Sequence, residues 1–423
     1  MSNNYLAKTG YVARELEVEI EKYLHLPQII ALVGPRRSGK TTLLLHFKKK
    51  LKNALYFSFE DREVLDIFEN DIKNFAKLYL REEVEYLLLD EFHYAQKGGK
   101  NLKYLFDYYP GKKIIISGSS AADLTIQAIK YLVGRVVVFT LYPFSFSEFL
   151  LAKDPKIQEI WRTTSAKKLA ISPLGERIKQ RFEEYLTFGG YPEVVLQRDE
   201  EIKKTLLKNI YSVLFLREVK DFLALADEHK LRNLVRALVL QIGNLVNYQE
   251  LCQVSGLDYK TLKRYLGFLE KVFICQLVPP FFTNKRKELV KAPKIYFWDS
   301  GLANAVINNF SPLQQKPNAG AILENAAFRI LASGGEVKFW RTKTKAEVDF
   351  ILENSEGSTP LEIKLGAKTP KIPSSLRSFI KSYQPRKAFV GTLSFWAEQK
   401  LGKTKVVFQP VWQSSFTWEE ITP

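Results

Sequence analysis

Residues 34–41 read Gly-Pro-Arg-Arg-Ser-Gly-Lys-Thr, a spacing that suits phosphate binding. The glycines let the backbone turn tightly and direct its N–H groups at an anion. We expect Lys40 to reach the β- and γ-phosphates of a nucleotide and the Thr41 hydroxyl to be a Mg²⁺ ligand. A helix is predicted to follow, with its positive end toward the same anion. The residues predicted to hold the nucleotide are Gly34, Pro35, Arg36, Arg37, Ser38, Gly39, Lys40, Thr41 and Thr42.

Two adjacent acids follow the apolar run Tyr86-Leu87-Leu88-Leu89 and complete the predicted nucleotide site. Asp90 is expected to hold Mg²⁺ through water, and Glu91 to polarise the attacking water as general base. An exposed acidic turn after a strand is the other interpretation. The phosphate-binding loop upstream favours the catalytic role for these two acids.

Two further residues are candidates for this chemistry. Ser119 follows a third apolar run, 113–117, and its hydroxyl could contact the γ-phosphate or the water; Ser120 is the second choice. The alternative is a plain turn in which Ser120 caps the next helix. Arg135 could stabilise transition-state charge in its own chain or in a neighbouring copy, or could be a surface arginine.

The last third of the chain contains three acids and a lysine. Glu324 lies in a predicted helix, and residues 347–352 and 361–366 read as two strands around a polar turn. A hairpin centred on that turn places Asp349 opposite Glu362, and strand alternation puts Lys364 on the face of Glu362. Glu324, Asp349 and Glu362 are candidate ligands for a second Mg²⁺ or Mn²⁺, with Lys364 positioning or activating water. A hairpin with a solvated charged face is the alternative.

The middle of the chain reads as a helix, a glycine turn at Gly256 and a second helix capped by Asp258. A strand over 274–278 and the basic run 285–287 would form a wing. On the second helix, Lys260, Lys263 and Arg264 are the candidate contacts to DNA. Packing of this module against its own chain or a protein partner is the alternative.

The elements that must position these residues require more than one domain. A chain of 423 residues exceeds one ordinary core, and its 46% hydrophobic content is ample for packed interiors. The net charge of +17 favours a polyanionic partner, DNA above all. Cys252 and Cys275 are too few for a disulfide framework or a four-ligand zinc site. With no apolar leader and no stretch of about 18 apolar residues, we expect a soluble cytoplasmic protein without a membrane partner.

The segments GPRRSGKTTLL, YLLLDEFH, ISGSSAADL, LVGRVVVFTLYPFSFSEFL and FGGYPEVVL resemble bacterial and archaeal AAA-type ATPases with a C-terminal domain of unknown function. The resemblance covers most of the chain and implies ATP rather than GTP as the nucleotide. It also implies that residues 141–144 lead out of the core and that residues 189–193 join the helical segment that follows them. The C-terminal arrangement resembles the PD-(D/E)XK nuclease superfamily.

We therefore expect an α/β protein built on a parallel-sheet P-loop ATPase core. The expected domains are the core (1–155), a helical linker or lid (156–225), a winged helix-turn-helix (226–290) and a nuclease-like α/β domain resembling restriction endonucleases (291–423). One hypothesis is an ATP-driven, DNA-associated enzyme whose last domain binds or cleaves nucleic acid with a metal. The other is a nucleotide-dependent switch whose nuclease-like domain is an inert scaffold for a protein partner. Homo-oligomerisation is compatible with both.

Overall fold

The computed structural model describes residues 10–118, 131–213, 228–282, 286, 288, 291–355 and 357–421. The chain divides into two compact units. Unit 1 comprises Met1–Phe144 with Lys271–Phe273, and unit 2 comprises Ser145–Glu270 with Ile274–Pro423. The first boundary follows Phe144, where the resemblance implied that the chain leaves the core. The finer division into four domains stays a prediction.

Unit 1 contains a five-stranded parallel sheet of order β2-β3-β4-β1-β5. Its strands are β1 (Ile29–Val33), β2 (Ala54–Ser58), β3 (Tyr86–Asp90), β4 (Lys113–Gly118) and β5 (Val136–Thr140), and its helices are α1 (Glu15–Lys22), α2 (Lys40–Lys50), α3 (Arg62–Asn70), α4 (Ile72–Tyr79) and α5 (Gly98–Tyr108), with a 3₁₀ turn at Phe92–Tyr94.

The sheet of unit 1 is covered on both faces, which is why its central strands read as unbroken apolar runs. Along β1, Ile29 and Ala31 pack into one apolar cluster, whereas Ile30 and Leu32 pack into another on the opposite face. All five strands point the same way. Their carboxyl ends therefore meet at one edge of the sheet, where the predicted nucleotide residues follow β1, β3 and β4.

Unit 2 contains helices, a two-stranded pair and a six-stranded mixed sheet of order β12-β13-β11-β10-β9-β8. The helices are α6 (Phe146–Lys153), α7 (Pro155–Thr163), α8 (Ala166–Ala170), α9 (Pro173–Phe188), α10 (Pro192–Val195), α11 (Glu200–Val213), α12 (Glu228–Leu240), α13 (Tyr248–Ser255), α14 (Tyr259–Lys271), α15 (Ser300–Val306), α16 (Ala319–Leu331), α17 (Ser374–Tyr383) and α18 (Trp418–Ile421), with a 3₁₀ turn at Leu313–Gln315. The strands are β6 (Cys275–Val278), β7 (Lys294–Phe297), β8 (Val337–Arg341), β9 (Glu347–Asn354), β10 (Gly357–Ile363), β11 (Lys387–Thr392), β12 (Ala397–Leu401) and β13 (Thr404–Pro410). None of the helices in the described ranges is both long and apolar enough to cross a membrane.

The helix, glycine turn and helix predicted in the middle of the chain are confirmed. Helix α13 ends before Gly256, whose φ of 67° is left-handed and suits glycine. Asp258 then caps α14 by accepting a hydrogen bond from the Thr261 backbone N–H at 3.0 Å. Strands β6 and β7 form an antiparallel pair. In the predicted wing between them, residues 285 and 287 lie outside the described residues.

Asp299 joins two segments that are distant in the sequence. It caps α15, since its Oδ1 accepts a hydrogen bond from the Leu302 N–H at 2.8 Å, and its Oδ2 accepts one from the Gly190 N–H at 2.7 Å. Gly189 has a φ of +72°, and a Cβ there would lie 2.2 Å from the Asp299 carboxylate. Burial raises the pKa of Asp299. The Gly-Gly turn after α9 is thus fixed by a buried carboxylate in unit 2.

Replacing Asp299 by alanine is expected to destabilise the protein by about 2–5 kcal/mol, because two buried N–H groups lose their acceptor. Asp258→Ala is the matched control, since it removes an exposed helix cap in the same unit and should cost only about 1 kcal/mol. Chemical denaturation of the two variants measures the difference. Equal losses would contradict a joining role for Asp299.

Candidate functional site

The loop after β1 has a backbone that requires glycine at two positions. A Cβ at Gly34 would lie 2.2 Å from the Leu141 carbonyl oxygen, so only glycine fits this close approach. Gly39 has a φ of +100° and precedes the first residue of α2. The loop therefore turns directly into a helix N-terminus, which favours an anion there.

Lys40 is buried, and its ammonium donates hydrogen bonds to the carbonyl oxygens of Gly34 at 3.0 Å and Pro35 at 2.9 Å. Thr41 lies exposed in the first turn of α2. The Ser38 hydroxyl is buried and has no hydrogen-bond partner among the described residues. An ammonium, an available hydroxyl and a helix N-terminus in one loop fit a nucleotide phosphate with its magnesium ion.

Asp90 is buried at the end of β3 and is held by three donors. Its carboxylate accepts from the Tyr56 hydroxyl at 2.9 Å, from the Glu91 N–H at 3.0 Å and from the Ser117 hydroxyl. Burial and the Asp90 charge raise the pKa of Tyr56, which keeps its hydroxyl protonated as a donor. Tyr56 and Ser117 were not predicted from the sequence. Their polar side chains lie within or at the end of apolar strands, and this pattern could have marked them as partners of Asp90.

Glu91 adopts a left-handed backbone, φ 51°, which is uncommon for a residue other than glycine. Its Oε2 lies 3.1 Å from His93 Nδ1. Burial raises the pKa of Glu91, but the neighbouring His93, followed by the charges of Lys40 and Arg36, outweighs this effect and holds the pKa below its usual value. Glu91 is therefore ionised at neutral pH, as a general base must be. Sequence analysis did not include His93 among the site residues.

Arg135 does not lie at the nucleotide edge of its own chain. The ladder pairs Ile29 with Val136 and Val33 with Thr140, so Arg135 precedes β5 at the opposite edge of the sheet. Four residues of strand separate the two edges by roughly 13 Å. Arg135 instead lies 3.4 Å from Asp107. This position does not allow Arg135 to stabilise transition-state charge at the nucleotide site of its own chain. Its contribution to the site of a neighbouring copy stays a prediction. Ser119 and Ser120 lie outside the described residues.

Arg14 is a residue that sequence analysis missed. Its buried guanidinium donates to the Ser38 carbonyl at 2.9 Å and to the Tyr142 carbonyl at 2.7 Å, and it lies over the Phe144 ring at 4.9 Å. It thus ties the phosphate-binding loop to the segment that ends unit 1. No short motif marks such an arginine, because its partners are carbonyl groups far along the chain.

The predicted C-terminal hairpin is confirmed, including its register. Strands β9 and β10 are antiparallel and pair Phe350 with Leu361, the register that sets Asp349 opposite Glu362. Asp349 accepts a hydrogen bond from the Ile363 N–H at 2.8 Å. The Lys364 ammonium lies 2.8 Å from Glu362, which also accepts from the Ser375 hydroxyl at 2.9 Å. Burial lowers the pKa of Lys364, but the nearby carboxylates outweigh it and raise the pKa overall.

A second lysine, which sequence analysis missed, lies inside this cluster. The Lys294 ammonium is 3.1 Å from Glu324, 2.7 Å from Glu347 and 3.5 Å from Asp349. Burial lowers the pKa of Lys294, and the three carboxylates raise it by more. Burial, followed by the Asp349 charge, raises the pKa of Glu324 to about 7.

This arrangement does not fit a metal held by Glu324, Asp349 and Glu362. Among the described residues, no group of three His, Cys, Asp or Glu side chains could hold a metal ion. The physical reason is that internal donors already engage the carboxylates. Tyr296 and Lys294 contact Glu324, and Ser375 and Lys364 contact Glu362. The predicted metal centre is corrected to a cluster of ion pairs.

The three basic candidates on α14 lie on its exposed face. Lys263 lies over the ring of Tyr248 at 3.9 Å and over that of Tyr259 at 5.7 Å. Arg264 lies over the Tyr265 ring at 5.8 Å. Together with Lys260 they form what we call the α14 basic face, which combines cations with exposed aromatic surface.

Comparison with protein families divides the chain into three parts. Residues 26–150 match the family described as "AAA domain". Unit 1 contains a P-loop domain of the AAA type. Residues 179–313 match a "Domain of unknown function (DUF8612)", and residues 319–409 match a "Domain of unknown function (DUF4143)". The AAA match contains the loop 34–41 and the acids at 90 and 91.

Curated relatives extend over most of the chain. An uncharacterized protein of Haemophilus influenzae is 24% identical over 430 residues, covering 97% of this chain and 99% of the relative. An uncharacterized protein of Methanocaldococcus jannaschii is 26% identical, covering 82% of this chain and 77% of the relative.

Two solved structures resemble this chain, with low sequence identities and low TM-scores. A Walker-type ATPase of Pyrococcus abyssi is 17% identical with a TM-score of 0.47, covering 70% of this chain and 96% of that chain. The ORC2 protein of Aeropyrum pernix in its ADP form is 12% identical with a TM-score of 0.35, covering 73% of this chain and 97% of that chain. Both TM-scores lie below 0.5, so neither neighbour defines the function of this chain.

Proposed function

We propose that unit 1 binds ATP with Mg²⁺ at the loop 34–41 and hydrolyses it. The observation that carries the proposal is the edge of the sheet where a glycine loop with the buried Lys40 follows β1, and the buried Asp90 and the adjacent Glu91 lie at the end of β3, with β4 between these two parallel strands. That combination supplies phosphate contacts, a carboxylate for the cation and a base for water.

Each side chain would then have a separate role. Lys40 would place its positive charge beside the transferred phosphate, and the N-terminus of α2 would add its partial charge. Magnesium, when bound, neutralises phosphate charge, and Thr41 and Asp90 would hold it. Tyr56 and Ser117 would fix the orientation of Asp90. The Glu91 carboxylate would take the proton of the attacking water while His93 holds it in place.

Equilibrium binding of fluorescent ATP and GTP analogues, with Mg²⁺ or with a chelator, tests the binding step. The proposal predicts Mg²⁺-dependent binding with a preference for ATP, which rests on the family resemblance. If neither nucleotide bound, the basis for hydrolysis would be removed. Equal binding of both would leave the site intact and revise only the choice of base.

A second role, association with DNA through unit 2, is favoured by the α14 basic face and the net charge of +17. Cleavage is not part of this proposal, because internal donors engage the carboxylates of the C-terminal cluster. In this proposal unit 2 binds nucleic acid, and nucleotide binding by unit 1 controls that association. The alternative is that unit 2 binds a protein partner.

Replacing Lys260, Lys263 and Arg264 together by alanine is expected to weaken DNA binding and to reduce the slope of log affinity against log salt by about 3, since each phosphate contact contributes roughly 0.9. The charge-matched control replaces Lys48, Lys49 and Lys52, which are exposed in unit 1. Salt titrations of both variants measure the effect. Equal slopes would mean that the α14 basic face does not contact DNA.

A further inference from the structure

A short segment at the end of α14 belongs to unit 1. Residues 271–273 are part of unit 1, whereas the rest of α14 and strand β6, which precede and follow them, are part of unit 2. The half-buried ring of Phe273 packs against the apolar cluster that contains Val33 at the end of β1 and Phe92 next to Glu91. The helix that carries the α14 basic face is therefore followed, within two residues, by a side chain of the ATPase core.

The backbone of this segment is held in one conformation. Phe273 has a φ of 59°, a left-handed value that is uncommon for a bulky side chain and persists only where surrounding contacts impose it. The Ile274 N–H donates to the Leu269 carbonyl at 3.0 Å, which closes the segment onto the last turn of α14. Val272 is buried. A displacement of Phe273 should therefore move the end of α14 instead of being absorbed by a loose loop.

The Phe273 ring contacts a segment that is bonded to the phosphate-binding loop. It packs edge-on against the Tyr142 ring, with the ring centroids 5.6 Å apart and the planes at 89°. The Tyr142 carbonyl accepts from Arg14, whose guanidinium also donates to the Ser38 carbonyl of the loop. The backbone just before Tyr142 lies against Gly34 of the same loop. The loop thus meets this segment at two points, and the segment meets Phe273.

Nucleotide binding should change the loop end of this series of contacts. The Lys40 ammonium donates to the carbonyl oxygens of Gly34 and Pro35. Because an ammonium group has only three protons, contacts to phosphates draw it away from these carbonyls. The Pro35 carbonyl also accepts from the N–H of Ser38, the residue that Arg14 holds, at 3.3 Å. Hydrogen bonding in the loop therefore has two arrangements, and a ligand that favours one of them shifts the equilibrium between the two.

We propose that Phe273 transmits nucleotide binding at the loop 34–41 to the α14 basic face, through Tyr142 and Arg14, and so makes the affinity of unit 2 for DNA depend on ATP. Phe273 and Tyr142 act here as positioning residues. This role rests on the proposed function, ATP binding by unit 1 and DNA association by unit 2. The effect is reciprocal, so DNA should change the affinity for ATP by the same factor.

The test measures the affinity of the full-length protein for a fluorescent DNA duplex, with and without a non-hydrolysable ATP analogue and Mg²⁺. In the wild type the two affinities should differ by about 5-fold or more, as is usual for coupled sites. In Phe273→Ala this difference should largely disappear. The affinity for the analogue alone and the affinity for DNA alone should stay near their wild-type values.

Phe106→Ala is the matched control. Phe106 is also half-buried and packs against the same apolar cluster, but it lies beneath Arg135, at the opposite edge of the sheet. Its loss should leave the response to the analogue unchanged. A wild type that binds neither the analogue nor DNA would refute the proposed function itself. If both bound, a wild type without any response, or an unaltered response in Phe273→Ala, would overturn the role of Phe273.

Hydrogen exchange gives a readout that needs no DNA and decides the question even if Phe273→Ala fails to fold. The analogue should change the exchange rates of the backbone amides of residues 271–274 in the wild type and in Phe106→Ala. It should not change them in Tyr142→Leu, which removes the same ring contact from the other side. Unchanged rates in the wild type, or an equal change in Tyr142→Leu, would contradict transmission through this contact.

Discussion

Glu91→Gln is expected to lower the rate constant for ATP hydrolysis by about 10²–10⁴-fold while leaving ATP affinity nearly unchanged. Glutamine has the size of glutamate but cannot take a proton from water. The Glu91 carboxylate lies beside His93 and follows β3 directly after Asp90, outside the loop 34–41, so its loss should remove the base without disturbing the loop that holds the phosphates. Phosphate release under saturating ATP measures the rate, and nucleotide binding measures the affinity.

The matched control for this variant is Glu82→Gln, an exposed glutamate of unit 1 away from the carboxyl ends of the strands. It should hydrolyse ATP at the wild-type rate. If Glu91→Gln turned over ATP as fast as the wild type, another residue would have to supply the base. A parallel loss of affinity would instead indicate that Glu91 holds the nucleotide site together.

Lys40→Ala has the second largest expected effect, a loss of ATP affinity of about 10–100-fold, together with loss of hydrolysis. A charged hydrogen bond to phosphate contributes about 1.5–3 kcal/mol, which corresponds to that range of affinity. The same substitution removes two hydrogen bonds from the ammonium to the loop carbonyls, so the loop itself should become less ordered. Titration with a fluorescent ATP analogue checks the prediction.

Lys49→Ala is the control for charge, because Lys49 is exposed near the end of the same helix. It lowers the net charge by the same amount and should bind ATP as the wild type does. Wild-type affinity in Lys40→Ala would contradict the assignment of the phosphate-binding loop.

Local sequence rules predicted a large part of this structure. The spacing of residues 34–41 between a strand and a helix fixed the position of the loop, because only that backbone brings several N–H groups to one point. The hairpin register followed from strand periodicity, since the polar turn lies midway between Asp349 and Glu362. Capping by Asp258 followed from its position between the glycine turn and the second helical pattern.

The features that could not be predicted depend on contacts between distant segments. Lys294 lies 30 residues before Glu324 and about twice as far from Asp349 along the chain. The sequence around it predicts a buried strand but does not show that its ammonium group pairs with several carboxylates. Arg14 and Tyr56 likewise bind groups far along the chain. For Arg135 the sequence left open a role in its own chain, a role in a neighbouring copy and a surface position, because these depend on how β5 pairs with β1.

The most direct test of the central claim is steady-state phosphate release from ATP by the wild type, Lys40→Ala and Glu91→Gln, each with Mg²⁺ and with a chelator. We predict Mg²⁺-dependent turnover by the wild type, and loss of turnover in both variants and in the chelator. Turnover that is equal in all three proteins, or none from a wild type that binds Mg²⁺ and ATP, would contradict the assignment of unit 1 as an ATP hydrolase.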